Sequence, residues 1–213
     1  MRIDREILAP IIDNNPVTVQ ILGLCSALAV SRSLEPALIM SVALIVVLAF
    51  SNIAVSMLRS VMPHSIRLII EVTLVASAVI VVDEVLKVYA PEQSRVLTIF
   101  VGLIITNCIV LGRAESFAMH NPVWPSFLDA LGNGIGYAAI LLFIAATREL
   151  FGNGSLFGKA ILPDAFPRNE MMLYAPSAFF ILGLVVWAIR SWRPAQAEQT
   201  DVTAEPATYQ GAG

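Results

Sequence analysis

The sequence predicts an all-α integral membrane protein. Six transmembrane helices are expected, arranged as two inverted three-helix repeats with the first helix of each repeat interrupted. Three observations predict this. Hydrophobic residues fill 57% of the 213 positions and charged residues only 14%, against about 25% charged in an ordinary soluble domain. Mean hydropathy is +0.78. The charges fall in clusters, and the uncharged runs between them have the length that a bilayer core of about 30 Å demands.

Taken in order, the runs are Asn14 to Ser31, Pro36 to Leu58, Leu68 to Val82, Val96 to Gly112, Ala130 to Thr147 and Met171 to Ile189. The third is short and holds one acid, Glu71, so its helix is expected to continue past Asp83 and Glu84 toward Tyr89. A backbone in lipid satisfies its polar groups within its own segment, which selects helices. Six such segments leave little chain for a soluble fold. The loops are short. Pro63 turns the chain between Arg59 and Arg67, and Asn121 to Pro125 (NPVWP) offers an interfacial turn with Trp124 as anchor. Gly152 to Glu170 is the longest connection. Residues 1–193 read as one polytopic domain with halves at about 14–90 and 96–192, followed by a polar, disordered tail, 194–213.

No separate signal peptide is expected from the mixed charges of residues 1–13, and the first span is expected to act as the insertion signal. A net charge of −3 gives no footing for a nucleic-acid partner. Six spans put both termini on one side of the membrane. The arginine pairs Arg59/Arg67 and Arg190/Arg193 place that side in the cytoplasm, although the whole count is only seven basic residues against six.

Two cysteines, Cys25 and Cys108, sit in the first span of each half. Buried cysteine often packs as a small hydrophobe. A disulfide is opposed by depth, because straight inverted helices leave the sulfurs roughly 8 to 10 Å apart along the membrane normal. They meet only if the spans break, and Gly23, Gly102 and the polar pair Thr106-Asn107 are the expected breaks. Two thiolates cannot complete a metal site alone, so a partner chain would have to supply the rest.

Several segments go beyond composition. LGLCSALAV (22–30), VGLIITNCIVLGRAESFAM (101–119), GNGIGY (132–137), REL (148–150) and APSAFFILGLVVW (175–187) resemble the NqrD/RnfE family closely. NNP at 14–16 and VVDEVLKVYA from Val81 also fit, and CSALAV is nearer the Nqr branch than the Rnf branch. Gly152 to Met172 departs most from the family pattern.

This resemblance implies a subunit that is not catalytic alone. Its six-subunit complex is expected to pass electrons from NADH to ubiquinone and to export Na+. It implies a homologous partner, the E subunit, of opposite orientation, and a [2Fe-2S] cluster held at the shared interface inside the membrane. Cys25 and Cys108 are then the two ligands from this chain, and NAD and flavin bind elsewhere. Gly23, Thr106 and Asn107 are expected to steer hydrogen bonds toward the sulfurs.

Glu71 is a candidate for an ion path, since a charge within a span is costly. The alternative is that Arg67, one turn away, holds it at the interface. Asp83 and Glu84 are expected to pair with Lys87 or Arg95, and GNGIG to allow close helix approach. Three rival functions stand beside the main one. They are the homologous E subunit of an Rnf complex working between ferredoxin and NAD, a stand-alone inverted-repeat transporter whose cysteines only pack, and a structural assembly protein.

Overall fold

A computed structural model describes residues 15–17, 20–60, 62–63, 66–89, 102–156, 159–160 and 174–192. Both helices that line the centre are long and apolar. Helix α1 spans Leu24–Val30, α2 Leu34–Leu58, α3 Arg67–Tyr89, α4 Cys108–Arg113, α5 Val123–Asn153 and α6 Ala175–Trp192. Helix α4 runs on into a π-helical segment, Ala114–Ala118. Of the described helices, α2 and Val123–Gly152 of α5 are long and apolar enough to cross a bilayer, and Pro176–Trp192 is a shorter apolar helix. Among the described residues, the one departure from all-helical structure is a two-residue antiparallel ladder, Ser155–Leu156 with Lys159–Ala160, just past α5. The tail at 194–213 lies outside the described residues.

The surface is inverted relative to a soluble protein. Phe180, Trp187, Leu184, Leu68 and Ile69 stand exposed, while Arg148, Glu71, Asn107 and Tyr137 are fully buried. Apolar side chains gain nothing from hiding when the surroundings are lipid, so helix association rests on close packing and interhelical hydrogen bonds. Close packing is concentrated between α2 and α5. A Cβ on Gly134 would stand 2.8 Å from Ile45 Cγ1, so the GNGIG stretch lets α5 lie against α2.

The hydrogen bonds are placed at the junctions. Glu149 Oε2 accepts from Leu34 N at 2.6 Å, capping α2 from across the bundle. Arg148 beside it donates to Ser31 Oγ at 2.6 Å and to the Tyr174 carbonyl at 3.1 Å. The REL motif thus fastens the α1–α2 turn to α5 and to the start of α6.

Helix α3 reaches Tyr89, as the third run required, and Asp83 and Glu84 both pair with Lys87 at 2.8 Å. Arg95, the other cation expected near them, lies outside the described residues. Arg113 and Glu115, two residues apart and so on different faces, pair with Asp129 on α5 and Arg67 on α3.

Candidate metal centre

Both cysteines lie in the first turn of a short helix that follows a break in the helical backbone, and each break has a local cause. In the first, Asn15 Oδ1 accepts from Val17 N at 2.9 Å, closing an Asx turn around Pro16. Asn15 Nδ2 donates to the Gly136 carbonyl at 3.2 Å, fixing this turn to α5. Ile21 has φ 55° and Gly23 φ 77°, so the chain enters α1 through left-handed residues. A β-branched residue there is strained, and strain of this kind gathers at functional sites. Cys25 falls in the first turn of α1.

In the second break, residues 102–105 form one helical turn, the chain unwinds at Thr106 and Asn107, and α4 restarts at Cys108. Asn107 Oδ1 accepts from Ile109 N at 3.0 Å, an N-cap that satisfies an otherwise orphaned amide. Gly102, an expected break, is helical instead: its carbonyl accepts from Thr106 N at 3.1 Å and Thr106 Oγ1 at 2.8 Å. Those bonds turn the threonine hydroxyl back into its own helix, so Thr106 is not aimed at a sulfur.

The two breaks meet. Gly23 N donates to Cys108 Sγ at 2.8 Å, which ties the residue two before Cys25 to the second cysteine. Cys25 is exposed and Cys108 half-buried. Behind them Ser26 Oγ donates to the Gly23 carbonyl at 3.0 Å and receives Asn107 Nδ2 at 3.0 Å. Tyr137 Oη on α5 lies 2.8 Å from the same hydroxyl. Asn107 thus serves its own helix and Ser26, and reaches the sulfurs only through them.

The sequence matches a family described as "Rnf-Nqr subunit, membrane protein" over residues 4–186. The chain belongs to the Rnf-Nqr family. Among its relatives is the D subunit of the Na(+)-translocating NADH-quinone reductase of Shewanella halifaxensis, 54% identical over 89% of this chain and 92% of that one. The protein of the same name from Proteus mirabilis is 50% identical over 92% and 97%. That of Shewanella baltica is 53% identical over 89% and 92%.

Within this Rnf-Nqr chain, Ser26 and Tyr137 are parts of the site that sequence reading missed. A serine in CSALAV and a tyrosine ending GNGIGY give no sign of meeting across 111 positions. Glu71 stands elsewhere, on α3. It is fully buried, and neither carboxylate oxygen has a hydrogen-bond partner among the described residues. Arg67, the alternative partner for Glu71, pairs with Glu115 instead.

The donor set suits a thiolate-bound group that is completed from outside. No cluster of three or more His, Cys, Asp or Glu able to hold a metal occurs among the described residues. The soft donors at this place are the two thiols, Cys25 exposed and Cys108 half-buried. An all-thiolate set of four is the usual cradle of an iron–sulfur cluster.

Proposed function

We propose that the chain is the D subunit of a Na+-translocating NADH:quinone reductase in a bacterial inner membrane. In this reading it is a multi-pass protein of six spans in two inverted halves, with both termini cytoplasmic. It works in a six-subunit complex and pairs with the homologous E subunit. Cys25 and Cys108 are two of four thiolate ligands to a shared [2Fe-2S] cluster. When bound, that cluster supplies one-electron transfer across the membrane interior.

The observation that carries this reading is the meeting of the two broken spans, with Gly23 N–H on Cys108 Sγ at 2.8 Å. Packing cysteines need no such donor, and a stand-alone transporter gives no reason for the Cys25 thiol to stand open on the surface. The relatives' shared name favours the quinone-reductase complex over the Rnf one.

The chain's own residues have definite tasks. The broken spans free backbone N–H groups, and Gly23 turns one toward sulfur, where it stabilises negative charge. The chain has no role for NAD or flavin in this reading. Glu71, without a hydrogen-bond partner among the described residues, is placed on the path of the ion.

The test uses the complex purified with its own partner subunits, comparing the wild type with Cys25→Ala and Cys108→Ala. Each variant is expected to assemble, to lose one [2Fe-2S] EPR signal with the matching iron and acid-labile sulfide, and to lose quinone reduction. Unchanged iron and activity would return the cysteines to packing. For Glu71, Glu71→Gln is expected to raise the Na+ concentration needed for half-maximal turnover. An unchanged Na+ dependence would remove it from the path.

A further inference from the structure

We propose that Tyr137, acting through Ser26, is the positioning residue that locks the two cysteine loops together and aims the Gly23 amide at the Cys108 sulfur.

Proton accounting supports this first. A serine hydroxyl has one proton to give and two lone pairs. Ser26 gives its proton to the Gly23 carbonyl at 3.0 Å. Asn107 Nδ2 fills one lone pair at 3.0 Å, and its orientation is set by Oδ1 accepting from Ile109 N. One lone pair remains, so the 2.8 Å contact with Tyr137 is a bond donated by the tyrosine O–H. Every capacity of the Ser26 hydroxyl is used. Its three partners come from the first break, the second break and α5.

Packing repeats the same tie. A Cβ on Gly23 would stand 3.1 Å from Tyr137 Cε2 and 2.5 Å from Ile109 Cδ1. The tyrosine ring thus lies against the Gly23 α-carbon on one side while its hydroxyl holds Ser26. Tyr137 is fully buried. It projects from α5, whose long interface with α2 makes it a rigid support. The breaks themselves are short, irregular segments, and Ser26 is the residue that hydrogen-bonds both of them to α5.

The consequence falls on the sulfur. A donor on a ligand sulfur favours the reduced, more negative form, so losing its aim lowers the reduction potential. This part rests on reading Cys25 and Cys108 as cluster ligands, whereas the geometric part does not.

The experiment uses Tyr137→Phe and Ser26→Ala in the complete complex, with iron content, EPR and a redox titration as readouts. Both variants are expected to keep full iron. Both should also show a lower midpoint potential, by about tenfold in the reduced-to-oxidised ratio at fixed poise, or about 59 mV for one electron. Wild-type potentials and EPR line shapes in both variants would overturn the proposal and leave Tyr137 as packing. If neither variant holds iron, mild oxidation of the iron-free complexes decides. A Cys25–Cys108 disulfide should then form in lower yield than in the wild type, and an equal yield would overturn the proposal. If the wild type has no cluster to lose on Cys25→Ala, the function fails while the disulfide yield still judges Tyr137.

Discussion

Gly23 has no room for a side chain and adopts a backbone conformation that L-residues avoid. An added Cβ would press on Ile109 at 2.5 Å, and the left-handed φ of 77° adds about 1–2 kcal/mol for any other residue. Gly23→Ala is expected to push the two loops apart, so that the assembled complex loses its iron while the rest of the chain stays folded. Iron analysis against circular dichroism checks this. The Arg113–Asp129 pair shows a different effect. Both side chains are largely buried, 13% and 5% exposed, and Asn133 Nδ2 also donates to Asp129 Oδ1 at 3.0 Å. Asp129→Asn strands the guanidinium, at a cost of about 3–5 kcal/mol. It should lower the melting temperature and the yield of complex. Arg67 and Glu115 are more open, 21% and 40% exposed, and Glu115→Gln is expected to cost no more than about 1 kcal/mol in the same measurement. At this scale the sequence spoke through residue chemistry. Cysteines and a buried acid announce themselves in an apolar chain. Ser26 and Tyr137 did not, because each is ordinary where it stands and becomes informative only when the chain brings them together.

Among the elements, the α2–α5 contact carries the packing. Gly134→Leu would drive a branched side chain into Ile45, whose Cγ1 stands 2.8 Å from the position of a new Cβ. Overpacking of this kind costs about 1–3 kcal/mol, and the thermal midpoint of the detergent-solubilised complex should fall. A leucine at Ile135, which is exposed, is the control and should leave it unchanged. The elements also show why counting uncharged runs misjudged the ends of the helices it marked. The method assumes that a charge marks the membrane surface. Here Arg113 and Glu115 lie in a continuing helix, Asp129 lies inside α5, and Arg148 and Glu149 are buried at a junction. Each is held by a partner from another element, so the helix runs through it. The breaks at Gly23 and Thr106-Asn107 were legible because glycine and adjacent polar residues weaken a helix anywhere. Gly102 was not distinguishable from them, since only its neighbours' hydrogen bonds keep it helical.

For the whole molecule, the exposed apolar side chains and the buried charges describe a protein built for lipid. The open Cys25 thiol describes one built for a neighbour. Expressed without other subunits, the chain is expected to form disulfide-linked dimers under air, seen as a doubled mass on a non-reducing gel and absent in Cys25→Ser. Co-expression with the partner subunits should suppress them. The ties that finish the site also carry a cost in time. Ser26 and Tyr137 are 111 residues apart, and a ribosome adding about 5–20 residues per second needs roughly 6 to 22 s to cover that distance. Through that interval the Ser26 hydroxyl lacks its Tyr137 partner and the first loop is not yet tied to α5 through it. Slowing translation between the two codons should lengthen the wait and raise the fraction of oxidised chain.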